Sequence, residues 1–188
     1  MGISSGAGTK DQDFLLIQCD NVNYDIRAFA PADLEELWRL DQACFPPGIA
    51  YTRAELLSYM RRRNAFTLVA ERALQAGDGG KGREGKGLAG FIVAESGRLH
   101  TGHVITIDVR AEDRRSGLGA RLMQAAEDRL RQLGCRGIVL EAAVDNQAAL
   151  AFYKRQGYFL VKTIPRYYTT GVDAFVLKKE LLAPVSAS

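Results

Sequence analysis

Ile107-Asp108-Val109, a charged stretch from Arg110, and then Arg114-Arg115-Ser116-Gly117-Leu118-Gly119-Ala120 form the segment on which the architecture turns. His103 to Val109 is apolar and β-branched and reads as a strand. From Leu118, the residues Leu122, Ala126, Leu130 and Leu133 recur at helical spacing, with arginines and acids between them and Gly134 at the end. The order is therefore strand, basic turn, amphipathic helix. Glycines at 117 and 119 let backbone approach an anion closely, and the free N–H groups and positive dipole of the helix start point at it. Such a turn suits a diphosphate. Arg114 and Arg115 either add positive charge at its rim or are simply solvated.

Working outward, Tyr24 to Phe29 alternates polar and apolar residues as a half-buried strand. Pro31 opens a helix bearing Leu34, Leu37, Trp38 and Cys44, stopped by Phe45-Pro46-Pro47-Gly48. Thr52 and Glu55 form a capping box for a second helix reaching about Arg62. Strands follow at Phe66–Ala70 and 87–95, separated by a glycine-rich hairpin loop over 75–87. Beyond Gly134, 137–144 reads as a strand, Asn146 caps a helix running to Gly157, and two late strands span Tyr158–Ile164 and Ala174–Leu181. Helices alternating with strands, with strands in direct succession in the middle and at the end, indicate a single α/β domain around a mixed central sheet. The expected limits are a flexible lead over 1–22, the domain over 23–183 and a tail over 184–188.

The 188 residues, 47% hydrophobic, suffice for one core that buries roughly 70% of the unfolded surface. A net charge of +3, from 25 basic against 22 acidic residues, is too mild for a nucleic-acid footprint but compatible with a small anion. Cys19, Cys44 and Cys135 are odd in number and lie in no CxxC spacing, so neither a disulfide framework nor a metal site is expected, and a reducing cytoplasm is the simplest compartment. No apolar run suggests a membrane span, and the first residues lack the order of a secretion signal.

The Arg114, Gly117 and Gly119 spacing after the Ile107-Asp108-Val109 strand resembles the acetyl-CoA-binding motif of the GNAT superfamily. Leu140-Glu141, Asn146, Ala149, Tyr153 and Gly157-Tyr158 follow at that superfamily's spacing. Arg166-Tyr167-Tyr168-Thr169-Thr170-Gly171-Val172-Asp173-Ala174-Phe175 resembles the tail of its RimI-type N-terminal amino-acetyltransferases, and Gly102-His103-Val104 resembles their archaeal and eukaryotic branch. The likeness runs from about Asp25 to Leu182. It implies a GNAT-like α/β fold with a splayed parallel strand pair forming the acetyl-CoA cleft, no metal, and transfer of acetyl from acetyl-CoA directly to an amine. The implied acceptor is the N-terminal amine of a protein, with the alanine terminus of a ribosomal protein as first candidate.

The resemblance assigns the coenzyme to Ile107, Asp108, Val109, Arg114, Arg115, Ser116, Gly117, Leu118, Gly119 and Ala120, with Asn146, Ala149 and Tyr153. It assigns the chemistry to Glu141 and Tyr153, and the peptide groove to Phe45, Pro46, Tyr51, His103, Tyr167 and Tyr168. Glu141 is the one charged residue in an apolar strand, so it is paired, water-lined or functional. An N-terminal amine has a pKa of about 7.7–8.0 and needs only a modest base. A phenol at 153 can protonate the departing thiolate, or can be packed core. Ala142-Ala143 stands where RimI-type enzymes continue with Val-Arg, which bears on the substrate. A small amine or lysine acceptor, and a non-catalytic acyl-CoA sensor, are the competing readings.

Overall fold

A computed structural model describes residues 23–72 and 87–181. The 75–87 loop, save Gly87, and the lead and tail lie outside them. Seven strands form one sheet: β1 (Tyr24–Ala28), β2 (Ala65–Arg72), β3 (Leu88–Ser96), β4 (Thr101–Val109), β5 (Gly137–Ala143), β6 (Phe159–Ile164) and β7 (Ala174–Glu180), in the order β1-β2-β3-β4-β5-β7-β6. Every neighbouring pair is antiparallel except β4 with β5. β3 is buried over seven successive residues, as a strand covered on both faces must be.

The helices are α1 (Leu34–Cys44), α2 (Arg53–Met60), α3 (Leu118–Gln132) and α4 (Gln147–Arg155). On α3 the expected stripe is realised: Leu118, Leu122, Met123, Ala126 and Leu130 are buried against β2, β3 and β4, in one core with residues of α4. Leu37, Leu40 and Leu56 of α1 and α2 form a second core with Val69, Phe91 and Val93. The sheet thus lies between α1–α2 on one face and α3–α4 on the other. Gly102 fits this packing, since a Cβ there would lie 2.6 Å from Leu130 of α3. The box at Thr52 forms as expected, with Thr52 Oγ1 accepting Glu55 N–H at 3.2 Å and Glu55 Oε2 accepting Thr52 N–H at 2.9 Å.

One expectation needs correction. Tyr158 does not begin β6; it is buried in the core, its hydroxyl donating to Glu127 at 3.3 Å, while β6 starts at Phe159 and is exposed at its first five residues. Of the cysteines among the described residues, Cys135 is buried. Cys44 is partly exposed, its thiol donating to Val109 O at 3.5 Å.

Candidate active site

β4 and β5 pair only through Thr101, Gly102 and His103 against Gly137, Ile138 and Val139, and they part beyond that point. The expected splayed pair is present. A β-bulge contributes to its shape: Val93 lies opposite Thr106 and Ala94 opposite Val104, so Ile105 is an extra residue in β4. The insertion reverses the alternation. Val104 packs towards α3, Ile105 packs with the α1–α2 core, and Ile107 and Val109 return to the α3 side. Asp108 consequently points away from α3 and is 1% exposed.

The turn after β4 is built to face an anion with backbone. Gly117 enters α3 at φ +85°, a left-handed conformation that glycine adopts without strain. The N–H groups of Arg115, Ser116, Gly117, Gly119 and Ala120 have no hydrogen-bond partner among the described residues. Two of the turn's exposed side chains bond back to the protein. Ser116 Oγ donates to Asp113 O at 2.7 Å and accepts from Leu118 N at 3.3 Å. Arg114 is exposed, and its guanidinium donates to Val109 O at 3.0 Å and to Cys44 Sγ at 3.5 Å. Arg115 is exposed.

Beneath the turn, Asp113 is 2% exposed and accepts from Tyr24 Oη and from Arg72 Nε and Nη2, each at 2.9 Å. This clamp ties the turn to β1 and β2. Nothing in local spacing connects residues 24, 72 and 113. Opposite, Asn146 caps α4, its Oδ1 accepting Ala149 N–H at 3.1 Å.

Where the strands part, His103 Nε2 and Glu141 Oε2 lie 2.7 Å apart, their side chains 31% and 19% exposed. Glu95, opposite His103 in the β3–β4 register, reaches its Nδ1 at 3.7 Å and is held by Arg62 at 2.9 Å. Burial alone would lower the imidazolium's pKa, but Glu141 and then Glu95 outweigh it and leave His103 above its ordinary value. A carboxylate–imidazole pair of this kind can take up one proton from a neighbouring group.

Tyr167 and Tyr168 lie near Glu141. Tyr51 and Tyr59 have ring centroids 5.1 Å apart, as do Tyr167 and Tyr168. Thr169 Oγ1 donates to Gly48 O at 2.6 Å, joining the loop of Tyr167 and Tyr168 to the loop of Phe45 and Pro46. Tyr153 is 8% exposed, and burial pushes its phenol well above the ordinary value, so it stays protonated at neutral pH. Its hydroxyl has no partner among the described residues. Sequence reasoning missed Glu95, Arg62 and Tyr59; only the register Glu95↔His103 and the packing of Tyr59 on Tyr51 bring them here.

Residues 34–158 match the model of the Acetyltransferase (GNAT) family. N-alpha-acetyltransferase 30 of Schizosaccharomyces pombe is 40% identical over 74 residues, 39% of this chain and 49% of that protein. The chain spans about half the length of the curated relatives it matches. Ard1 from Thermoplasma volcanium superposes with a TM-score of 0.71 and 27% identity over 85% of this chain and 98% of that one. The ribosomal-protein-S18-alanine N-acetyltransferase of Escherichia coli superposes at 0.69 with 20% identity, over 88% and 99%, a likeness of fold.

Proposed function

The chain belongs to the GNAT acetyltransferase family, and from that premise we propose that it transfers acetyl from acetyl-CoA directly to an amine, the N-terminal α-amine of a protein. The observation that carries this reading is the His103–Glu141 pair at the mouth of the β4–β5 gap, with Tyr167 and Tyr168 near Glu141. Five free amides from Arg115 to Ala120 suit a pyrophosphate. With one oxygen of Asn146 committed to its cap, its amide nitrogen is left for a pantetheine carbonyl. Acetyl-CoA supplies the thioester carbonyl. Glu141, with His103 beside it, takes the proton of the attacking amine, and the protonated Tyr153 supplies one to the departing sulfur.

The acceptor side favours a peptide. Tyr51, Tyr167 and Tyr168 offer hydroxyls to a substrate backbone and flat faces to its first side chain. Glu141 and Glu95 favour a cationic terminus. The alanine terminus of a ribosomal protein is the first candidate, and the relatives named as N-alpha-acetyltransferases support an α-amine over a lysine or a small amine. Purified protein is to be assayed for thiol release with acetyl-CoA and a panel of N-terminal peptides, lysine peptides and polyamines. Turnover with N-terminal peptides is expected. CoA binding without turnover on any amine identifies a sensor and overturns the reading.

The clamp under the turn gives a second expected result. Arg72→Gln removes both guanidinium bonds to Asp113 while leaving Tyr24 in place, loosening the turn without touching the base. Hydrogen bonds to a buried charged group are worth about 1.5–3 kcal/mol, so the KM for acetyl-CoA is expected to rise roughly tenfold or more, with peptide KM and kcat retained. Steady-state kinetics in both substrates checks it. An unchanged acetyl-CoA KM means the turn holds its shape without the clamp.

A further inference from the structure

Asp41 of α1 and Asp108 of β4 are 0% and 1% exposed. Asp41 Oδ2 accepts Tyr51 N–H at 2.8 Å and Gln42 Nε2 at 3.2 Å, while Gln42 Nε2 also donates to Tyr51 O at 2.7 Å. Both backbone groups of Tyr51, in the acceptor loop, are thus held from the last turns of α1. Asp108 Oδ2 accepts Thr106 Oγ1 at 3.0 Å, beside the β4 bulge. On each aspartate the other oxygen, Oδ1, is buried without a partner among the described residues.

The two acids meet. Cys44, one turn beyond Asp41 on the same face of α1, reaches Val109 O, which sets the end of the helix over the end of β4. Asp108 feels the charge of Asp41. The other groups facing Asp108 are the Cys44 thiol from α1, the Arg114 guanidinium from the turn and the Tyr153 phenol from α4. Arg114 is already bound to Val109 O and Cys44, so no cation pairs directly with either carboxylate among the described residues. Two buried carboxylates on facing elements cannot both ionise cheaply, and a single proton between the orphaned oxygens would satisfy both.

We propose that Asp41 and Asp108 share one proton through their Oδ1 atoms, and that this bond latches the acceptor loop to the strand forming one wall of the coenzyme cleft. They are positioning residues. Asp41 fixes where Tyr51 stands, Asp108 fixes Asp41, and neither needs to touch a substrate. Burial and the charge of Asp41 push Asp108 up to about 8, and burial pushes Asp41 up to about 6, so the proton is held at neutral pH.

A carboxyl whose folded pKa is raised contributes stability that is complete below its unfolded value and is lost as pH rises towards the folded one. The native latch itself opens only above about pH 8. Asp108→Asn replaces the titrating O–H by an amide that donates at every pH.

Thermal unfolding of the whole chain, with no substrate, is the primary test. The melting temperature of Asp108→Asn should rise relative to wild type between pH 5 and pH 9, by about 4 °C or more. Equal differences at both pH values would overturn the proposal. If Asp108→Asn does not fold, Asp41→Asn serves: it leaves a lone Asp108 that titrates lower, moving the pH-dependent loss of stability to lower pH, and an unmoved profile would equally overturn it. Kinetics add a readout that rests on the acetyltransferase reading. Wild-type peptide KM should climb above pH 8 while that of Asp108→Asn stays level, and parallel climbs would remove the latch from acceptor binding. Because the unfolding arm needs no turnover, its failure is distinguishable from a failure of that reading.

Discussion

Glu141→Gln is expected to lower kcat by about 10²–10³-fold, the usual share of a positioned general base, while leaving acetyl-CoA affinity close to wild type. Glutamine keeps the size and the hydrogen-bonding reach of the side chain, so His103 retains a partner at the position now 2.7 Å away. What is lost is the negative charge and its ability to accept a proton. His103 also changes, because Glu141 is the main influence holding its imidazolium above the ordinary value against the pull of burial. In wild type, kcat/KM should rise with pH as the pair loses its proton, with the midpoint above 6.5. In the variant the remaining limb should move to lower pH, since an imidazolium deprived of that carboxylate releases its proton more easily. Rates measured from pH 5.5 to 9 with saturating acetyl-CoA check both statements. A variant within threefold of wild type shows that Glu141 is not the base.

Lys179→Met is expected to cost about 3 kcal/mol of stability, lowering the melting temperature by roughly 10 °C. Glu127 of α3 is 1% exposed, and both its oxygens accept from Lys179 Nζ, at 2.9 and 2.7 Å, with Tyr158 at 3.3 Å and Arg131 at 3.5 Å adding weaker support. Removing the ammonium strands a carboxylate inside the core. Methionine preserves the apolar stem and isolates the effect of charge. The double variant Lys179→Met with Glu127→Gln should recover most of the loss, because no buried charge then remains. Unfolding in urea at pH 7 compares the three chains. No recovery in the double variant would mean that Lys179 acts through packing alone.

Local spacing carried most of the secondary structure. The stripe on α3, the box at Thr52 and the cap at Asn146 depend on residues within a few positions of one another, and each forms as its residues dictate. Strand register does not work that way. That Glu95 backs His103, and that β4 leaves β5 after three residues, are settled by pairing between segments far apart in the chain. The bulge at Ile105 breaks simple alternation and sends Asp108 towards α1. Family spacing placed Arg114 at the coenzyme turn, where its exposed side chain bonds Val109 O and Cys44, contacts that its neighbours in sequence do not announce.

Consider finally how little joins the two halves of the sheet. Across the seam between β4 and β5 the ladder runs for only three residues on each strand. The four N-terminal strands and the three C-terminal ones therefore resemble two panels on a short hinge, and the seam is where native-state hydrogen exchange should find the lowest protection within the sheet. A coenzyme in the gap would act as a splint. At one hundred times its dissociation constant it adds about 2.7 kcal/mol to the folded state. If the proposed activity holds, the survival of the protein against proteases would track the supply of acetyl-CoA.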